Sequence, residues 1–276
     1  MMATRLARHH SPACHGRPAR TPSFTCLPGP SGWPGRPPST IGSVVLVLAV
    51  SDEVDNVLYA DVGAVREARL IVACGDLPFD YLGYLMNALD VPLVFVPGNH
   101  DPDVSGYRTS RAGLTVQAGL PTQPPWPAGA VNADRAVVDV AGLRFAGLGG
   151  SRRYRDGPNQ YTPRQQARRA RSLARRVRWR KLRDGRGVDV LLTHAPPRGA
   201  GDREDPAHQG FEALNWLAGR LQPPLLLHGH IHPDDEPIRV HRLGHTIVHN
   251  VVGRHLLDIE PGAGARRSPA GARHAG

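Results

Sequence analysis

The sequence has few of the residues that make disulfide frameworks or membrane spans. Its 276 residues include only three cysteines, Cys14, Cys26 and Cys74, and their odd number and irregular spacing argue against a disulfide framework. No apolar run approaches the roughly 18 residues that a membrane span requires. The best candidate, residues 41–50, stops before Asp52 and Glu53 and is predicted to be the first buried strand. We therefore expect a cytoplasmic protein.

Lysine is almost absent, so arginine carries nearly all of the positive charge; Lys181 is the only lysine. The net charge is +10, but residues 1–40 and 262–276 contribute five and three arginines without a single acid. Residues 164–186 hold ten more arginines and Lys181 against one acid, Asp184. This distribution favours a solvated helix face with basic tails over specific nucleic-acid binding. A nuclease or nucleic-acid partner that uses the Arg-rich helix stays open, and it would show a steep salt dependence.

Composition divides the chain into three parts. Residues 1–40 and 262–276 are rich in Pro, Gly, Ser and Arg and are predicted to be disordered, because they cannot bury enough apolar surface. Residues 41–261 are predicted to form one domain, in which residues 103–134 form a long surface loop. The predicted strands are 44–50, 70–74, 93–96, 136–140, 144–148, 188–192, 225–227, 246–252 and 255–259. The predicted helices are 57–67, 81–89, 163–184 and 211–221.

The alternation of apolar runs with helical stretches indicates an α/β fold. The runs are continuously apolar, which is typical of sheets that are buried on both faces. The third helix has the clearest start: Thr162 can cap it, Pro163 suits its first position, and Gln165 completes a capping box.

Metal-capable side chains follow five of the predicted strands, each where the strand ends. They are Asp52, Asp76, Asn99, His194, His230 and His232. Each alone has an ordinary explanation as a cap, a turn residue or a core histidine, but their recurrence favours a metal site at one rim, where open α/β sheets bind ligands. Carboxylate and amide oxygens with imidazoles match Mn, Fe, Zn or Ni, and the lack of thiolates argues against structural zinc. Two such ions, about 3.5–4 Å apart, can clamp a phosphoryl group and activate water.

The order of these motifs resembles the calcineurin-like metallophosphoesterase superfamily. The motifs are Asp52, Gly75-Asp76, "GNHD" at 98–101, His194 and "GHIH" at 229–232, and the resemblance spans residues 44–260. "THAPPRG" and "FAGLGGSRRY" look like the smaller phosphodiesterase-type members. The resemblance implies a four-layer α/β/β/α sandwich of two mixed sheets flanked by helices.

The resemblance also implies a set of roles and a reaction. Asp76 would bridge two divalent metal ions; Asn99, His194 and His230 would complete one ion site, and Asp52 and His232 would belong to the other. His100 would protonate the leaving group, with Asp101 orienting its ring, since histidine suits proton transfer near neutral pH. The expected activity is hydrolysis of small phosphate esters, phosphodiesters in particular, by a metal-bound hydroxide, with no membrane partner.

The first motif departs from the family's Asp-x-His, because this chain has Asp52-Glu53-Val54. Residues two apart in an extended strand share a side, so Val54 would take a ligand position that it cannot use. Three outcomes are open: Glu53 or Asp55 supplies an oxygen ligand, water fills the gap and favours a harder ion such as manganese, or that ion is missing. We expect retained binding with altered affinity. The alternative is a non-catalytic scaffold that keeps the fold with a degenerate first metal site.

Overall fold

The computed structural model describes residues 44–109, 114–233, 240–262 and 264–267. The described strands, in chain order, are β1 (Val45–Ser51), β2 (Leu70–Ala73), β3 (Leu93–Phe95), β4 (Tyr107–Thr109), β5 (Thr115–Gln117), β6 (Leu120–Pro121), β7 (Val131–Asn132), β8 (Val137–Val140), β9 (Leu143–Leu148), β10 (Ser151–Arg152), β11 (Gln160–Tyr161), β12 (Val190–Thr193), β13 (Leu225–His228), β14 (Val240–Leu243), β15 (Thr246–Asn250), β16 (Gly253–Glu260) and β17 (Gly264–Arg267). The helices are α1 (Asn56–Ala60), α2 (Phe79–Leu89), α3 (Pro163–Asp184) and α4 (Glu212–Leu221).

Two six-stranded mixed sheets form the centre of the fold. The first has the order β17-β16-β1-β2-β3-β7, and the second has the order β14-β15-β13-β12-β9-β8. β1, β2, β3 and β7 run parallel, as do β9, β12, β13 and β15, whereas β8, β14, β16 and β17 pair antiparallel. The parallel strands of each sheet therefore bring their carboxyl ends to a common edge.

Alternate side chains of the parallel strands point into two different cores. Val47 and Ala49 of β1 lie in the core between the sheets, with Phe145 and Leu192 of the second sheet. Leu48, the residue between them, packs on the opposite face of the first sheet. Because both faces of each strand are buried, the strands read as continuous apolar runs.

Helices cover the two outer faces. Tyr81, Leu82 and Leu85 of α2 lie in the apolar cluster on the first sheet. Leu173 of α3 and Leu214 of α4 lie in the cluster on the second sheet. The predicted four-layer α/β/β/α sandwich is thereby confirmed, and removing a fully buried ring such as that of Phe145 should cost about 3–5 kcal/mol.

Two local predictions are confirmed in detail. The Thr162 hydroxyl accepts a hydrogen bond from the Gln165 amide, and the Gln165 side chain accepts one from the Thr162 amide, which is the predicted capping box at the start of α3. β8 and β9 form the predicted hairpin. Ala141 and Gly142 both have positive φ there, 50° and 84°, as a two-residue turn of type I′ requires.

Three predictions need correction. The helix predicted over 57–67 is wrong: α1 ends at Ala60, and a short 3-10 turn follows at Gly63–Val65, where the Asp61 carboxylate accepts from the Gly63 amide. The loop predicted over 103–134 contains β4, β5 and β6, which form a small sheet, as well as β7. The tail predicted to be disordered from residue 262 includes β17, which pairs with β16. The disordered segment predicted over 1–40 lies outside the described residues.

Within the described residues, no helix has the length and apolar character needed to cross a membrane.

Candidate metal centre

Four of the predicted ligands meet at the carboxyl edge of the two sheets. Asp52 directly follows β1, Asp76 lies in the turn after β2, His194 directly follows β12, and His230 lies two residues beyond β13. Each of these residues offers one ligand atom, and the four atoms lie within 4.8 Å of one another. The two sheets thus contribute two residues each to one cluster.

Three of the four residues have an uncommon backbone conformation. Asp52, Asp76 and His230 have φ angles of 60°, 57° and 68°, in the left-handed region that side chains with a Cβ disfavour. Each residue in such a conformation lowers stability by about 1–3 kcal/mol and persists only where the surrounding structure holds it in place. Such residues are concentrated at functional sites. The fold therefore bears a conformational cost to turn these side chains toward one point.

Glycines allow the backbone to pass close to the two carboxylates. A Cβ on Gly98 would lie 2.0 Å from Oδ1 of Asp76, and a Cβ on Gly229 would lie 2.3 Å from Oδ2 of Asp52. The Asp52 carboxylate accepts a hydrogen bond from the His230 amide, at 2.9 Å. These contacts fix both carboxylates before any ligand binds.

Backbone carbonyls orient the two imidazoles. The ring Nδ1 of His194 lies 2.7 Å from the Cys74 carbonyl oxygen, which leaves Nε2 facing Oδ2 of Asp76 at 3.3 Å and Oδ1 of Asn99 at 3.1 Å. The ring Nε2 of His230 lies 2.9 Å from the Ala207 carbonyl oxygen, which leaves its Nδ1 for a ligand. Metal-binding histidines typically use one ring nitrogen in this way to orient the other.

Burial and mutual attraction shift the ionisation of the cluster. Burial raises the pKa of Asp52. Burial also opposes ionisation of Asp76, but the adjacent His194 lowers the pKa of Asp76 to about 2. Burial opposes a charge on His194 too, yet attraction from Asp76 raises the pKa of His194 to about 9. The cluster therefore favours positive charge next to Nε2 of His194.

The chemistry of this donor set fits a divalent ion. Two carboxylates and two imidazoles, with the Asn99 amide oxygen beside them, match Mn, Fe, Zn or Ni. Burial lowers the pKa of His230 to about 3, which favours the neutral ring that binds a metal, whereas His194 would have to release the proton that Asp76 stabilises. The residues present are therefore suited to hold the ion that the resemblance implies.

His232 does not join this cluster. Its half-exposed ring lies with Nδ1 3.0 Å from Oε1 of Glu53, and both side chains point into solvent at the rim. Glu53 is thus the acidic residue next to this predicted ligand. The resemblance assigns His232 and Asp52 to the same ion site, and that assignment stays a prediction.

The other candidates for the missing histidine are engaged elsewhere. The Asp55 carboxylate caps α1 by accepting from the Val57 amide at 2.9 Å, and it pairs with Arg254 at 3.1 Å. The Val54 side chain packs against the apolar cluster on the outer face of the first sheet. Of the two oxygen ligands that the sequence left open, only Glu53 remains near the rim.

His100 lies exposed beside the cluster, where the sequence analysis predicts the proton donor. Its amide donates a hydrogen bond to Oδ1 of Asp76, at 2.7 Å. The Asp101 carboxylate accepts from the amides of Gly98 and Asp76, at 2.7 and 3.1 Å. In the described part of the chain Asp101 makes no hydrogen bond to the His100 ring, so it orders the loop that carries His100 rather than orienting the ring.

The sequence analysis missed the segment that supports this loop. The Asn159 amide donates to the carbonyl oxygens of Asp101 and Pro102, at 3.2 and 3.3 Å. The Asn99 amide nitrogen lies 3.4 Å from the Tyr154 hydroxyl. The two glycines after β9 were the sequence signal that this segment passes close to the loop, because a Cβ on Gly149 would lie 2.5 Å from the Pro97 carbonyl oxygen.

Behind this segment lies a buried ion pair that the sequence analysis also missed. Both carboxylate oxygens of Asp134 accept from Arg169 Nη2 at 2.7 Å, and Asp134 also accepts from the Gly149 amide. Arg169 in turn donates to the Gly149 carbonyl oxygen. This network fixes the end of β9 next to the site.

Comparison with known proteins finds a matching family model and several similar proteins. Residues 46–234 match the family model described as calcineurin-like phosphoesterase. A curated uncharacterized protein of Haemophilus influenzae is 26% identical over 219 residues, covering 70% of this chain and 87% of that protein. One crystal structure aligns with a TM-score of 0.51 at 15% identity, covering 78% of this chain and 95% of that one. The crystal structure of TT1561 of Thermus thermophilus aligns with a TM-score of 0.48 at 16% identity, with coverage of 78% and 95%.

Proposed function

Because the chain belongs to the calcineurin-like phosphoesterase family, we propose that it is a metal-dependent hydrolase of phosphate esters, and of phosphodiesters in particular. The observation that carries this proposal is the cluster of Asp52, Asp76, His194 and His230, whose ligand atoms lie within 4.8 Å of one another. Divalent ions, when bound, would polarise the phosphoryl group and lower the pKa of water. The preference for diesters is supported by the resemblance of "THAPPRG" and "FAGLGGSRRY" to smaller phosphodiesterase-type members.

We propose that two ions bind with unequal affinity. The four clustered side chains would hold the tighter ion, with Asn99 beside them. The rim pair of His232 and Glu53 would hold the weaker ion together with Asp52 and Asp76. A Glu53 oxygen in place of a histidine nitrogen makes this second site harder, which favours manganese.

His100 is the proposed proton donor to the leaving group. Its amide donates to Oδ1 of Asp76 at 2.7 Å, which holds the residue next to the cluster, and its side chain is exposed. General acid catalysis by a positioned side chain typically contributes about 10²–10⁴-fold. Asp101 and Asn159 are positioning residues, because they bind the backbone of this loop rather than the ring.

Turnover of bis(p-nitrophenyl) phosphate tests the proposal. The full chain, loaded with Mn²⁺, should hydrolyse this diester faster than p-nitrophenyl phosphate. His100→Ala should lower kcat about 10²–10⁴-fold with metal content unchanged, whereas His245→Ala, at an exposed turn before β15, should leave both unchanged. No turnover with Mn, Fe, Ni or Co would refute the proposal.

A second candidate is a binding scaffold that keeps the fold without catalysis. Two observations favour it: Val54 packs into an apolar cluster, and His232 stands outside the group of four. Metal analysis separates the candidates, because a scaffold with a degenerate site would bind almost no metal after reconstitution with Mn²⁺, while the hydrolase would bind at least one ion per chain.

A further inference from the structure

Five arginines form a straight stripe along the exposed face of α3. They are Arg164, Arg168, Arg171, Arg175 and Arg178, and all are exposed. Their spacing of four and three residues keeps them on one face of the helix. At about 1.5 Å per residue, the stripe is about 21 Å long. The apolar side chains Leu173 and Val177 lie buried on the other face of the helix.

No carboxylate neutralises the stripe, although two other arginines of the helix have acidic partners. Arg169 pairs with Asp134, and Arg180 pairs with Asp139. Among the described residues, no carboxylate forms an ion pair with any of the five stripe arginines. Arg176 and Arg183 of the same helix are also exposed and form no ion pair among the described residues.

An aromatic ring lies at the far end of the stripe. Trp179 follows Arg178 and has 74% of its surface exposed, and Leu182, one turn later, has 68% exposed. Tryptophan normally buries its ring, so such an open ring beside guanidinium groups is unusual for a soluble domain. Proteins that bind single-stranded nucleic acid combine a row of positive charges, which contacts the phosphates, with an aromatic ring, on which a base stacks.

The start of α3 contacts the residue that follows β9, at the edge of the sheets where the metal centre lies. α3 begins at Pro163, and Gln166 and Arg169 both donate to the Gly149 carbonyl oxygen, directly after β9. The segment between Gly149 and α3 contains the exposed Arg153 and Arg155, which flank Tyr154, whose hydroxyl lies 3.4 Å from the Asn99 amide nitrogen. Positive charge therefore continues from the stripe to the rim of the cluster.

We propose that single-stranded nucleic acid binds along this arginine stripe and enters the metal centre at its Arg164 end. This inference rests on the proposed function and names its substrate class. In the reaction a water oxygen bonds to phosphorus, the bond from phosphorus to one sugar oxygen breaks, and that oxygen takes up a proton. A lipid surface fits less well, because the apolar face of α3 is buried on the second sheet and is not available for insertion.

Binding is measured first, without catalysis. The metal-free full chain is titrated with a fluorescein-labelled 20-nucleotide single-stranded DNA at 50 to 200 mM NaCl, and anisotropy is recorded. Five phosphate contacts predict a slope of about −3.5 for log K against log salt, or a loss of about 100-fold across this range. Replacing all five stripe arginines by glutamine should remove most of this slope. Trp179→Ala should weaken binding at least about fivefold and leave the slope unchanged.

The control variant has the same loss of charge at other positions. It replaces Arg66, Arg69, Arg108, Arg220 and Arg242, which are exposed and lie outside α3, by glutamine. Circular dichroism melting verifies that both variants fold. Equal loss of binding in the two variants would overturn the inference, because it would show that net charge alone is responsible. Binding to vesicles of phosphatidylcholine and phosphatidylglycerol (3:1) but not to the oligonucleotide would also overturn it.

Turnover then distinguishes this inference from the proposed function. With Mn²⁺, the stripe variant should cleave the oligonucleotide with at least about tenfold lower kcat/KM, yet hydrolyse bis(p-nitrophenyl) phosphate at the unmodified rate. Hydrolysis of the small diester by a protein that does not bind the oligonucleotide refutes the stripe inference alone. Oligonucleotide binding without hydrolysis of either substrate refutes the proposed function.

Discussion

A single methyl group at Gly98 should disrupt the metal centre. The φ angle of Gly98 is not positive, so alanine is compatible with its backbone, and the effect of Gly98→Ala comes from contacts alone. The new Cβ would lie 2.0 Å from Oδ1 and 2.6 Å from Cγ of Asp76, where ordinary contact begins at 3.4 Å. Rotating the Asp76 side chain gives no relief, since the Cβ would also lie 2.7 Å from the Asp76 backbone nitrogen.

The size of the effect follows from this overlap. The Asp76 carboxylate must move by more than about 1 Å, while metal–ligand distances tolerate only about ±0.2 Å. We expect Gly98→Ala to weaken Mn²⁺ binding at least about 10–100-fold and to cost about 1–3 kcal/mol of stability through overpacking. Isothermal titration with Mn²⁺ and urea unfolding measure the two effects.

Gly187→Ala is the matched control, because a Cβ there has no neighbour within 4 Å. This control should retain the Mn²⁺ affinity of the unmodified protein. If Gly98→Ala also retained that affinity, the argument that Asp76 is held in a fixed position for a metal would be refuted.

Three further changes test other parts of the structure. Arg169→Met leaves the nearly buried Asp134 carboxylate without its partner, so the free energy of unfolding in urea should fall by about 3–5 kcal/mol; a loss under about 1 kcal/mol would contradict this. Arg144 lowers the pKa of Asp139 in the folded state, so this carboxyl stabilises the fold fully above its unfolded pKa of 3.8 and less as the pH falls below it. The difference in unfolding free energy between the unmodified protein and Arg144→Met should therefore narrow from pH 6 to pH 3. A difference that widens as the pH falls would contradict this prediction. Glu53→Ala should lower the occupancy of the weaker ion and leave the tighter one intact, as metal titration would measure; loss of both ions, or of neither, would contradict the assigned pairing.

Local signals in the sequence predicted the elements that local interactions determine. The bounds of α3 were predicted correctly because a capping box at Thr162 starts the helix and Gly185, with φ of 73°, ends it. The helix predicted beyond Ala60 failed because the Asp61 carboxylate binds the Gly63 amide and forms a turn instead. The small sheet of β4, β5 and β6 had no visible signal, since its short strands pair with each other and not with the core.

The site was predictable to the extent that it follows from strand ends. A polar residue after a buried apolar run locates Asp52, Asp76 and His194 at one edge, because parallel strands share that edge. His232 follows the same pattern but turns toward Glu53, which depends on the loop conformation and not on the strand. The contacts of Asn159 and Arg169 join residues more than twenty positions apart and have no sequence signature.

The metal-to-protein ratio of the full chain tests the central claim most directly. The protein is reconstituted with excess Mn²⁺, separated from free metal by gel filtration, and analysed by inductively coupled plasma mass spectrometry. The cluster of Asp52, Asp76, His194 and His230 predicts at least one retained ion per chain, and a loss of that ion in Asp76→Asn. A ratio near zero for the unmodified protein, or an unchanged ratio in Asp76→Asn, would contradict the account.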